Sequence, residues 1–125
     1  MLTLTFGHTA GEPGETVGPM KHFRIDGPYL LSESGARIAH HGDHFWEMED
    51  GRRFFRLDVS SPVRVRFERE GDPPKEFGPF EHYSMADGIA YVDREFFASF
   101  SEKSELWHCR IEKQDWDAFN VIAVE

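Results

Sequence analysis

Hydrophobic positions along this chain recur every second residue rather than every third or fourth. After Pro62, Val63, Val65 and Phe67 alternate with Arg64, Arg66 and Glu68, the pattern of a strand with one buried and one wet face. Short glycine-bearing steps punctuate the pattern, and two-residue steps of this kind are a strong hairpin signal. Segments 37–41 and 44–49 flank Gly42-Asp43, and segments 44–49 and 52–59 flank Asp50-Gly51. Closing the first turn at Gly42-Asp43 sets His41 opposite His44 and Ala39 opposite Trp46. Closing the second at Asp50-Gly51 sets Glu49 opposite Arg52, Trp46 opposite Phe55 and His44 opposite Leu57. Alternation then predicts one apolar face made of Ala39, Trp46, Met48, Phe55, Leu57 and Val59. The expectation is a meander running from Arg37 to Arg69, apolar on one side and arginine-rich on the other.

Beyond it, Glu70-Gly71-Asp72-Pro73-Pro74 forces a loop. Segment 77–83 reads as extended but interrupted by Gly78-Pro79. Asp87-Gly88 opens a strand over 89–92. Segment 93–100 fits a strand better than a short helix capped by Asp93. Strands are expected over 106–111 and 119–124, with one helical turn over 113–118. Before the meander, segment 7–19 holds four Gly and two Pro and is expected to form a long surface loop, a kind that tends to be mobile or functional. The letters show no internal repeat and no low-complexity tract. The predicted fold is all-β, an antiparallel sandwich or small barrel of eight to ten short strands with one short helix near the C-terminus.

Composition adjusts this picture only in part. A chain of 125 residues has the length of one domain, here spanning 1–125. Most of its 12 Phe are expected in the core. No apolar run approaches the ~18 residues of a transmembrane helix. Met1-Leu2-Thr3-Leu4-Thr5-Phe6 has no basic residue and does not read as a signal peptide. Cys109 is the only cysteine, so a reducing, cytoplasmic location is expected. The net charge of −9 disfavours nucleic acid and anionic membrane surfaces as partners. That charge is uneven. Residues 52–69 carry six arginines against Asp58 and Glu68, while the rest of the chain is strongly acidic.

Two clusters carry candidate chemistry. His40-His41-Gly42-Asp43-His44 is the densest set of metal-capable side chains. In the register above, His41 and His44 face each other across the turn and could share a divalent transition metal. His82 is the candidate third ligand. The arginine segment supplies Arg52 and Arg56 on one strand and Arg64 and Arg66 on another. Arginine forks suit carboxylates and phosphates, so an anion, a nucleotide or an acidic partner is expected there. Cys109 alternates with Trp107 and Ile111 and reads as a small buried hydrophobe. Its neighbour His108 points to the other face, which rules out a nucleophile–base pair on a strand. No phosphate loop, dinucleotide fingerprint or nucleophile elbow occurs.

The order of residues around the histidines resembles that of cupin barrels. Gly35, five residues and His41 are followed by His44, Glu47 and Gly51, and later by Pro74, Gly78 and His82. His44 lies one place beyond the second histidine of the cupin motif, and such a step turns a strand ligand to the opposite face. The same cluster lacks the first histidine of the His-x-His-x-Asp-His motif of metallo-β-lactamase-like hydrolases. The cupin resemblance implies a metal-dependent barrel acting on a small molecule. Three functions follow as expectations. The foremost is a non-catalytic binding or interaction module that forms a homodimer or engages a protein partner. The second is the cupin-like metalloprotein. The third is a small-ligand carrier with a cavity lined by Phe77, Phe80, Tyr83, Phe96, Phe97, Phe100 and Trp107.

Overall fold

In the computed structural model, which describes residues 1–8, 14–42, 44–59 and 61–124, inward and outward side chains alternate along most strands. The first half forms β1 (Leu2–Gly7), β2 (Glu15–Met20), β3 (His22–Asp26), β4 (Tyr29–Leu31), β5 (Arg37–Gly42), β6 (Phe45–Met48), β7 (Arg53–Phe54) and β8 (Arg56–Val59). The second forms β9 (Val63–Glu68), β10 (Lys75–Phe80), β11 (Tyr83–Ala86), β12 (Ile89–Val92), β13 (Glu95–Phe100), β14 (Trp107–Cys109), β15 (Gln114–Trp116) and β16 (Ala118–Ala123). The fold is all-β, two antiparallel sheets packed as a sandwich. Sheet I runs β15-β14-β13-β12-β11-β8-β1-β2, and sheet II runs β7-β6-β5-β4-β3-β16-β9-β10. The strands are shorter and more numerous than the pattern predicts. The expected helical turn over 113–118 is instead β15 and the start of β16, because Trp116 must reach the core opposite Trp107. No helix among the described residues is long and apolar enough to cross a membrane.

The two sheet orders expose something the letters concealed. Moving every strand eight places along the chain converts one order into the other. The chain is a duplicated eight-strand unit, contrary to the expectation of no repeat. The registers agree pair by pair. In the first half Leu4 pairs with Val59 and Phe6 with Leu57; in the second Val65 pairs with Val121 and Phe67 with Phe119. Trp46 opposite Phe54 corresponds to Trp107 opposite Trp116. The irregularity after Leu30 in β4–β5 recurs after Ala90 in β12–β13. The close approaches recur as well. A Cβ on Gly18 would lie 2.7 Å from the Leu2 carbonyl, and one on Gly78 would lie 3.0 Å from that of Val63. Both glycines have positive φ, 130° and 117°. Neither half owns a sheet. Each supplies five strands to one sheet and three to the other, so the halves interlock.

The core lies between the sheets. Phe23 of sheet II meets Tyr83 of sheet I with ring centroids 6.0 Å apart, and Trp107 meets Phe119 at 5.1 Å. Phe23 and Tyr83 occupy equivalent places in the two halves, so their contact sits beside the approximate two-fold axis that relates them.

The meander is only partly as expected. Strands β5, β6 and β7 are consecutive in sheet II, but with shifted registers. Gly42 pairs with Phe45, so His41 stands opposite Trp46 and Ala39 opposite Met48. This two-residue slide preserves which side chains point inward. His44 takes a left-handed φ of 70° beyond that pair; Asp43 lies outside the described residues. At the second turn the Gly51 amide donates to Met48 O at 3.0 Å and the Met48 amide to Arg52 O at 2.8 Å. The resulting three-residue loop shifts the register by one, which buries Phe54 rather than Phe55. A bend at Phe55 then carries the chain across the sandwich. β8 pairs with β1 and β11 in sheet I, and β9 with β16 and β10 in sheet II. The expected 7–19 loop is also shorter, since β2 begins at Glu15 and the Gly14 amide donates to Phe6 O at 2.9 Å. Positions 9–13 of that loop lie outside the described residues.

Candidate functional site

The three histidines proposed as metal ligands go to three different places. His41 points into the sandwich and is only 7% exposed. Its ring packs edge-on against Trp46 (centroids 5.2 Å apart) and Phe100 (6.1 Å). Neither ring nitrogen has a hydrogen-bond partner. Burial holds its pKa below the ordinary histidine value, against the opposing pull of the Glu102 and Asp87 carboxylates. His44 sits on the turn and pairs with the Asp87 carboxylate. His82 lies at the far end of β11 from Asp87, five residues along an extended chain, which is roughly 16 Å. His40, on the outer face of sheet II, pairs with Glu47 at 3.3 Å. Among the described residues no three His, Cys, Asp or Glu side chains converge as a metal site requires. The expected His41–His44 facing pair depended on the Gly42-Asp43 register, which the extra pairing of Gly42 with Phe45 displaces.

The arginines disperse as well, because the bend at Phe55 and the crossing after β8 send neighbouring strands to opposite sheets. Arg52 sits at the β6–β7 turn and donates to Asp50 at 2.7 Å and to Glu15 at 2.5 Å. Arg56 lies on the outer face of sheet I, where it donates to Asp58 at 3.1 Å, while its Nε is buried without a partner. Arg64 and Arg66 lie on the outer face of sheet II, and Arg66 donates to Glu76 at 3.2 Å. The four arginines therefore do not share one surface.

Of the aromatic residues expected to line a cavity, Phe80, Phe96 and Phe97 border a surface depression of about 560 Å³, and Phe77, Phe80 and Phe97 also pack on one another. Phe97 contacts Phe67, Phe77 and Phe80, each with centroids 5.5 Å from its own. Cys109 is buried between the sheets, and burial pushes its thiol pKa up. The sequence placed this residue as the structure does.

Duplication supplies an internal comparison of the two outer faces. Across sheet II one row of outward side chains reads Glu76, Arg66, Asn120, Arg24, Leu31 and Arg37. Most charges of this face, Arg64 apart, are paired within it. Glu68 accepts from Arg24 at 2.5 Å and from Asn120 at 2.6 Å, and Glu47 holds Arg53 at 3.2 Å as well as His40. The equivalent row of sheet I reads Thr16, Thr5, Asp58, Ser84, Tyr91 and Phe96. Where sheet II has Arg24 and Asp26, sheet I has Ser84 and Ala86. A depression of about 460 Å³ opens there, lined by Phe55, Arg56, Ser84, Ala86, Asp87, Ile89, Tyr91 and Arg94; its counterpart in sheet II, about 380 Å³, is bordered by the charged Arg24, Asp26, Glu68 and Asp117 instead. Arg94, exposed at a positive φ of 68°, has no ion pair among the described residues. The signal that would have found this site is the 60-residue echo of Gly18-Pro19-Met20-Lys21-His22-Phe23 in Gly78-Pro79-Phe80-Glu81-His82-Tyr83. It aligns the two halves and shows where they diverge. No family model matches this chain, and no curated protein and no solved structure is significantly similar to it.

Proposed function

We propose that this protein is a non-catalytic binding module whose ligand surface is the outer face of sheet I around Arg56, Ser84, Ile89, Tyr91 and Arg94. The difference between two equivalent faces carries this reading. One face of the duplicated unit pairs most of its charges within itself. The other lacks those ion pairs, and its depression is lined by Phe55, Ile89 and Tyr91 with the guanidinium groups of Arg56 and Arg94 beside them. A ligand that places a carboxylate between Arg56 and Arg94 and an apolar group on Ile89 and Tyr91 matches these donors and surfaces. A protein partner presenting an acidic and an apolar side chain together has that chemistry.

The test uses phenylacetate as the minimal probe, followed by amide chemical shifts. Shifts are expected in β8, β11 and β12. Ser84→Glu sets a carboxylate beside the position proposed for the ligand's own, weakening binding by at least about tenfold, ~1.4 kcal/mol. Arg94→Ala should do the same by removing the free charge. Shifts centred on sheet II, or binding indifferent to both substitutions, would refute the assignment.

A further inference from the structure

Two turns from opposite sheets meet at one end of the sandwich. His44, on the β5–β6 turn of sheet II, pairs through Nδ1 with the Asp87 carboxylate on the β11–β12 turn of sheet I. Both residues hold left-handed backbones, with φ of 70° and 52°. Such backbones are uncommon outside glycine and persist where the surroundings hold them. The other half shows what the fold requires at this place. His44 stands two residues before Trp46, as Glu105 stands two before Trp107, and Glu105 is also left-handed at 59°. The His41 amide donates to Pro28 O and the Phe100 amide to Gly88 O, so Pro28 and Gly88 correspond, and Gly27 is the equivalent of Asp87. There the Glu105 carbonyl lies 3.5 Å from where a Gly27 Cβ would stand. Gly27 offers no side chain to pair. The fold thus closes one such end without an ion pair between the turns, and His44–Asp87 is an addition at the other.

That addition borders the depression on sheet I. Asp87 is one of its lining residues. It follows Ala86, the cross-strand partner of Arg56. Its carboxylate therefore shares the depression with the guanidinium groups of Arg56 and Arg94.

We propose that His44 tunes the affinity of this depression for carboxylate ligands with pH, acting through Asp87 so that binding is tighter when the imidazole is protonated. This regulation rests on the ligand surface assigned above. The Asp87 carboxylate repels a ligand carboxylate and competes with it for Arg56 and Arg94. An imidazolium at His44 offsets that charge. A neutral imidazole can keep the hydrogen bond through its Nδ1–H tautomer, but it has no charge to offset the carboxylate. The charged groups around the pair are Arg56 of β8 with its partner Asp58, Arg94 of the β12–β13 turn, His40 and His41 of β5, and Glu102 after β13. Of these types only histidine changes charge near neutral pH. His40 is turned to the outer face of sheet II beside Glu47, and His41 is buried on the inner face. Affinity for a carboxylate should therefore fall as the pH rises through the histidine range. The His44 and Asp87 side chains are 72% and 47% exposed, so solvent screens the coupling and the expected change is roughly three- to fivefold.

The test measures the dissociation constant of phenylacetate for the whole protein at about pH 5.5 and about pH 8, at low ionic strength, by amide chemical shifts. The probe is ionised at both. The parent should bind roughly three- to fivefold tighter at the lower pH. His44→Asn and Asp87→Asn both place asparagine, which tolerates a left-handed backbone, so neither threatens its turn. The two variants should move in opposite directions. His44→Asn should bind at both pH values as weakly as the parent does at the higher one. Asp87→Asn should bind at the higher pH at least as tightly as the parent does at the lower one. His41→Phe should keep the parental ratio, which separates His44 from its buried neighbour. Equal affinity of the parent at the two pH values would overturn the regulation. So would a parental ratio retained in His44→Asn, or Asp87→Asn binding no more tightly than the parent at the higher pH. Absence of binding at both pH values would instead refute the ligand surface itself.

Discussion

Tyr83→Phe should make this protein more stable. The Tyr83 ring is fully enclosed between the sheets, and its hydroxyl is buried without a hydrogen-bond partner. Burial alone pushes the phenol pKa well above its ordinary value. The equivalent residue of the other half, Phe23, fills the same kind of place without a hydroxyl, 6.0 Å away across the sandwich. Burying a hydroxyl without compensation costs roughly 1–3 kcal/mol by protein mutational measures. Removing the oxygen forfeits only a few dispersion contacts, each worth ~0.1–0.2 kcal/mol. The net expectation is a gain of about 1 kcal/mol. For a chain of this length that corresponds to a rise in melting temperature of roughly 3–5 °C. Urea unfolding followed by fluorescence of the buried Trp46, Trp107 and Trp116 should show a higher midpoint at unchanged slope. The reciprocal Phe23→Tyr should lower the midpoint, since it buries a second hydroxyl near the first. A Tyr83→Phe variant less stable than the parent would refute the reasoning, because it would mean that the hydroxyl is bonded in the folded state.

Two further outcomes rest on other features. Burial holds the folded-state pKa of His41 below 6.5, so between that lowered value and 6.5 the unfolded chain binds more protons than the folded one. Stability should therefore be fully present above pH 6.5 and fall as the pH drops through that window. Denaturation series against pH should show the His41 share of this slope vanish in His41→Phe; the charged neighbours Glu102, Asp87, His44 and His40 remain and set the residual dependence. Gly18→Ala and Gly78→Ala should each destabilise the fold by roughly 1–3 kcal/mol, because each puts a Cβ against a carbonyl on a backbone of positive φ. Thermal melts that leave either variant within about 0.5 kcal/mol of the parent would refute the close approach drawn at that glycine.

Strand identity was legible because it is a local property. Val63, Val65 and Phe67 had to face one way and Arg64 and Arg66 the other, since a pleated chain alternates whatever sheet it joins. The turns at Asp50-Gly51 and Asp87-Gly88 were equally local. Burial of Cys109 followed from the same alternation. What escaped was everything that depends on partner choice. A single extra residue in the turn after Met48 exchanged Phe55 for Phe54 in the core, the bend at Phe55 sent β7 and β8 to different sheets, and the crossing after β8 returned β9 to the sheet of β7. The proposed arginine face dissolved with those two crossings, although Arg56, Arg64 and Arg66 lie on strands as expected. The histidines show the same division. Alternation alone turns His40 and His41 to opposite faces, but only the pairing of Gly42 with Phe45 turned His44 away from His41. The duplication was written in the two Gly-Pro-x-x-His-aromatic segments. Its consequence, halves interlocked so that each completes the other's sheet, was not, because it rests on the pairings of β8 with β1 and β11 and of β16 with β3 and β9, which join strands far apart in sequence and leave no local signal. That long-range pairing placed His41 against Phe100 and set the two outer faces side by side for comparison, and both proposals depend on it.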